Sequence, residues 1–137
     1  MPFAPAIADE AKIRALNSLS VRGLTSMFDD RRQLFCNRLV RTERGLEREG
    51  LSQRYTLMTL MGLRRGEAFG LRNPFNSEGI FNGLVRDMKW LDNIGDLGLL
   101  LWACALIAPE RFEEVYRKLN VAAAIHRDRY AIEEHTM

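Results

Sequence analysis

From Leu97 to Ala108 the chain runs without a polar side chain, LGLLLWACALIA, and then meets Pro109. Asp92, Asn93 and Asp96 precede it as residues suited to cap and charge a helix start, and the proline disfavours helical backbone in the residue before it. The segment reads as a helix with no wet face. Such a helix either spans a membrane or is wrapped by protein, and twelve apolar residues fall well short of the roughly 20 a bilayer requires. The rest of the chain must therefore be arranged to surround it.

A chain of 137 residues, 47% of them hydrophobic, fits a single domain with a packed core. The expected organisation is one helical domain over 1–137, with an N-terminal helix and connector over 1–33, a possible hairpin over 34–50 and helical hairpins over 51–137. The formal charge of +2 is unevenly placed, at −1 over 1–30, +6 over 31–72 and −3 over 73–137. Seventeen of the twenty basic residues are arginine, a bias that a genome's nucleotide composition produces as readily as phosphate binding does. The basic middle is thus read as a solvated or salt-bridged face, and nucleic acid is disfavoured as a partner. Two cysteines, Cys36 and Cys104, are too few and too far apart for a disulfide framework or metal cluster. The N-terminus has neither a basic start nor an apolar core, so no signal peptide and a cytoplasmic setting are expected.

Along the chain, Ile7, Ala11, Ala15, Leu16 and Leu19 approximate a helical stripe from about Ala6 to Ser20, which Gly23 interrupts before a charged connector at Asp29–Arg32. Residues 34–49 read as an irregular β-hairpin turning at Thr42-Glu43-Arg44-Gly45. Ser52 is a good N-cap for a second heavily buried helix carrying Tyr55, Leu57, Met58, Leu60, Met61 and Leu63. Asn76 or Ser77 caps an amphipathic helix with Ile80, Phe81, Leu84, Val85 and Met88 on one face. Pro109 opens another, striped by Phe112, Val115, Tyr116 and Leu119, and Asn120 caps a last helical segment from Val121 to about Glu133.

Buried and amphipathic helices thus alternate, and the two buried ones begin 41 residues apart, at Ser52 and Asn93. That period suits an α/α toroid or an open α-solenoid, and helices apolar all round favour the toroid. SQRYTLMTLMGL at 52–63 and GDLGLLLWA at 95–103 resemble successive inner helices of the six-hairpin glycosidase-like and terpenoid-cyclase-like toroids. The resemblance covers roughly residues 50–120 and lies in hairpin texture rather than in a catalytic motif. It implies an all-α fold, the N-terminal part of an α/α toroid, with apolar flanks completed by self-association or by a second polypeptide. It also implies a carbohydrate as the possible ligand.

Glycoside-processing enzymes need two carboxyl groups at a defined separation. Asp92 and Asp96, four apart at the start of the apolar helix, are the best catalytic pair available, although both also suit helix capping and dipole compensation. Arg54 breaks a rule, since a cation in the first turn of a helix faces the positive end of the dipole and needs an anion nearby. Aligning Ser52 with Asn93 in parallel helices sets Arg54 beside Asp96, which predicts an ion pair to Asp96 or Asp92, as a clamp or as a substrate contact. Tyr55, Trp90 and Trp102 could line an aromatic wall, with Tyr55 and Trp90 binding substrate, but aromatics at helical spacing are also core residues, and Trp102 is expected to be buried. His126 and His135 lack carboxylates at ligand spacing, so no metal is expected. No phosphate-cradling loop, nucleophile elbow or Asp-rich run is present, and no cofactor is implied. Two functional readings remain: a partial toroid related to carbohydrate-processing enzymes with little activity alone, and a non-catalytic helical module that binds a protein partner. A third is nucleic-acid binding by Arg31, Arg32, Arg38, Arg41, Arg44 and Arg48.

Overall fold

A computed structural model describes residues 7–119. In chain order the elements are α1 (Ile7–Met27), β1 (Phe28–Asp29), β2 (Leu34–Thr42), β3 (Gly45–Leu51), α2 (Gln53–Glu67), α3 (Ser77–Arg86), α4 (Ile94–Ile107), a 3-10 turn (Pro109–Arg111) and α5 (Phe112–Lys118). The strands make one antiparallel sheet in the order β1-β2-β3. The fold is therefore mixed α and β, and the all-α expectation is corrected. Helix α2 packs against α4 and α3 and against strand β2. The helix expected from Val121 to Glu133, with His126 and His135, lies outside the described residues.

The sheet belongs to the core through its base. The β2–β3 ladder runs from Cys36 opposite Leu51 to Thr42 opposite Gly45, and everything from Glu43 to Gly50 is exposed. Gly45 takes a φ of +113°, which few side chains tolerate, and Thr42 closes the turn by donating its hydroxyl to the Gly45 carbonyl at 3.2 Å. At the other end Phe35 and Cys36 are buried. Phe35 meets Phe28 and Phe75 with ring centroids 4.9 Å away in each case, a tilted and an edge-on contact.

Hydrogen bonds join sheet to helix. The Phe35 amide donates to the Thr56 hydroxyl at 2.9 Å, and that hydroxyl donates to the Ser52 carbonyl at 2.7 Å. The Ser52 amide completes the loop by donating to the Phe35 carbonyl at 3.2 Å. Thr56 has no exposed surface, so Thr56→Val, which keeps the shape and removes the hydroxyl, strands the buried Phe35 amide. A loss of about 1–2 kcal/mol is expected by urea denaturation; no loss would mean that the sheet is not anchored there.

Helices α2, α3 and α4 each start at a side-chain cap. Ser52 Oγ accepts from the Tyr55 amide at 3.2 Å, Asn76 Oδ1 from Gly79 at 3.0 Å and Asn93 Oδ1 from Asp96 at 2.9 Å. Helices α2, α3 and α4 bury Leu57, Leu60 and Met61, Ile80, Phe81, Leu84 and Val85, and Leu100, Ala103, Cys104 and Ile107, which meet Phe35 and Val115 in one core.

Two expectations about helices need correction. Helix α1 does not stop near Ser20 but passes through Gly23 to Met27, where Leu24 and Met27 pack on the core; a helical glycine costs only about 1 kcal/mol and tertiary contacts offset it. Of its expected apolar stripe, Ala11, Ala15, Leu16 and Leu19 are all exposed. Helix α4, the segment read as having no wet face, buries one stripe and presents the opposite one, Gly95, Gly98, Trp102 and Ala105, to solvent.

Candidate functional site

The N-terminal ends of α2 and α4 lie side by side, so these helices run in the same sense. Arg54 Nε donates to Asp96 Oδ1 at 2.6 Å, and its guanidinium ion-pairs with the same carboxylate. The guanidinium also reaches Asn93 Oδ1 at 3.4 Å. Asp96 Oδ2 accepts from the Asp92 backbone amide at 3.3 Å. The carboxylate of Asp96 is almost enclosed, at 8% exposure, whereas Arg54 is about half exposed at 48%. Both oxygens of Asp96 therefore serve the helix ends and the cation from α2. This is the pairing that aligning Ser52 with Asn93 implied for Arg54.

Asp92 joins the cluster through its backbone amide, while its side chain is exposed. Glycoside chemistry uses two carboxyl side chains; here the Asp96 carboxylate is held by Arg54 and meets Asp92 at its backbone amide. The aromatic residues do not gather either. Tyr55 lies on the outward side of α2 at 44% exposure. Trp90 is half-buried and donates Nε1 to the Leu84 carbonyl at 3.0 Å. It borders a surface cavity of about 440 Å³ with Arg32, Gln33, Gln53, Asp87 and Lys89, which neither Asp92, Asp96, Arg54 nor Tyr55 lines. Trp102, expected to be buried, is 58% exposed.

The exposed tryptophan marks the feature that the sequence reading missed. On α4, Gly95, Gly98, Trp102 and Ala105 recur at three- and four-residue steps and share one face, flanked by half-buried Leu99, Leu101 and Leu106. After Asp96 the helix carries no charged residue at all. Alongside, α2 exposes Tyr55 and Met58. Isolated exposed apolar residues are ordinary, but here an exposed tryptophan sits on a helix that carries no charged side chain of its own after Asp96. The signal was present in the sequence as the missing polar side of this helix, and was read there as burial within the chain.

Part of the basic middle is a salt-bridged surface. Arg38 pairs with Glu49 across the hairpin, which holds the Glu49 carboxyl below its ordinary value and raises the guanidinium. Arg44 pairs with Glu47 at 3.6 Å, and Arg48 donates to the Ser26 carbonyl at 2.9 Å. Three of the six arginines proposed as phosphate contacts thus have partners within the chain. The thiol of Cys104 is buried and pushed up by that burial, which makes it a packing group rather than a nucleophile. Among the described residues, no three His, Cys, Asp or Glu side chains converge as metal ligands, and no helix is long and apolar enough to cross a membrane. Comparison with protein-family models, with curated proteins and with solved structures finds no match for this chain.

Proposed function

We propose that this chain is a non-catalytic interaction module that docks a polypeptide on the outward face of α4 and the adjoining part of α2. The observation that carries the reading is Trp102, more than half exposed on a helix face without a charge. A tryptophan presents about 200 Å² of surface. Leaving over half of it wet forgoes about 3 kcal/mol at ~25 cal/mol/Å², a gain available to any partner that covers it. The opposing feature is equally specific: Asp96, the best candidate for a catalytic acid, is committed to Arg54 and to a backbone amide. Carbohydrate binding finds some support in the Trp90 cavity, whose glutamines and charged groups suit hydroxyls, but that cavity excludes the proposed acids.

In this reading Trp102→Glu leaves the fold intact. In dilute solution its stability should lie within about 0.5 kcal/mol of the parent chain, as for surface substitutions generally, and its binding of an apolar fluorescent dye should fall. A collapse of the thermal transition on this substitution would place Trp102 inside the fold and end the proposal.

A further inference from the structure

The partner on this face can be specified, on the understanding that the inference rests on the docking reading above. We infer that a second copy of this chain occupies it, with the two α4 helices packed antiparallel about a two-fold axis beside Leu100. The exposed positions 95, 98, 102 and 105 follow the three-four-three spacing of a helix–helix seam. Their sizes are arranged to be self-complementary. With the axis beside Leu100, Trp102 of one copy falls opposite Gly98 of the other, and Gly95 falls opposite Ala105. Each contact occurs twice, as an isologous interface demands.

The hole for this knob is open, because a Cβ built at Gly98 meets nothing within 4 Å. Leu99, Leu101 and Leu106 flank the seam and supply its apolar border. Two further properties favour the same partner. The charge nearest the seam, the Arg54 guanidinium 3.7 Å from where a Cβ on Gly95 would stand, is already paired with Asp96, and antiparallel helices bring the positive end of each dipole to the negative end of the other. A seam confined to one 14-residue helix and its neighbour is small, so the association is of the reversible, concentration-dependent kind.

The test is light scattering after size-exclusion chromatography on the full chain, loaded over a range of concentrations, for the parent, Trp102→Glu and Gly98→Leu. The expected parent mass rises from 15.8 kDa towards twice that value as loading increases. Both variants should retain the parent's circular dichroism and associate at least tenfold more weakly, Trp102→Glu by losing the knob and Gly98→Leu by filling the hole. Gly98→Leu is the informative variant, since it adds apolar surface and helix propensity, and so would tighten any association that did not use the glycine as a hole. A parent that is monomeric at every loading, or a Gly98→Leu chain that dimerises as well as the parent, overturns the second-copy inference. If Trp102→Glu meanwhile remains folded and equally stable, the docking reading survives that failure; if it unfolds, both fall.

Discussion

Phe35→Ala is expected to cost about 3–5 kcal/mol, the range for a large aromatic removed from a packed interior. Phe35 is 1% exposed and fills the space between Phe28 at the end of α1, Phe75 before α3, and the body of α2. Its loss leaves a cavity that three separate segments border. A domain of this size holds only about 5–15 kcal/mol of stability in total, so the variant should lose roughly a fifth or more of it. Chemical denaturation at constant slope checks the figure. A loss under 1 kcal/mol would mean that the hairpin is an appendage and that the chain is in effect a helical domain after all.

The second large effect is an asymmetry at the Arg54–Asp96 pair. Arg54→Ala removes the cation from a carboxylate that is 8% exposed and leaves its charge without a counterion. Breaking a fully buried pair in this way costs about 3–5 kcal/mol. Arg54 is half exposed and solvent screens the pair, so about 2 kcal/mol is expected here. For a chain of this length that is roughly 6–10 °C in melting temperature. Asp96→Asn keeps the size and removes the buried charge, but its single oxygen can accept from either Arg54 or the Asp92 amide and not from both, so a loss of about 1 kcal/mol, that of one hydrogen bond, is expected. Calorimetry on the two variants reads the difference directly. Equal losses, or a larger loss for Asp96→Asn, would contradict a clamp whose main burden is the buried carboxylate.

How much of this was legible in sequence depended on whether the signal was local. The caps at Ser52, Asn76 and Asn93 are one-residue signals with a fixed geometry, and each is used as a cap. Arg54 was informative because it sat where the helix dipole disfavours it, and aligning the two caps, two residues before Arg54 and three before Asp96, sufficed to place it against Asp96. The other errors share a cause. Helix α4 is apolar all round, so its pattern carries no direction and cannot tell a face covered by the chain from one left open to a partner. Only the contacts of α2, α3 and α5 resolve that. The hairpin was visible at 34–49, but its charged arms hid the fact that Phe35 and Cys36, two adjacent residues at its base, reach the core from a sheet. A two-residue strand such as β1 has no sequence pattern at all and exists because Phe28 and Asp29 meet Phe35 and Leu34. Among the proposed site residues, the cluster of Arg54, Asn93 and Asp96 was accessible to reasoning from spacing, whereas the open side of Trp102 was not.

The claim on which the account turns is that the α4 face is open in the folded chain, and oxidative footprinting of a dilute sample by mass spectrometry tests it most directly. The chain carries its own internal standard, because its two tryptophans differ: Trp102 is more than half exposed and Trp90 is half-buried with its indole nitrogen hydrogen-bonded. The account predicts that Trp102 is modified faster than Trp90 while the chain remains folded. Modification of Trp102 at a rate equal to or below that of Trp90 would show that this face is already covered by the chain itself, and would contradict it.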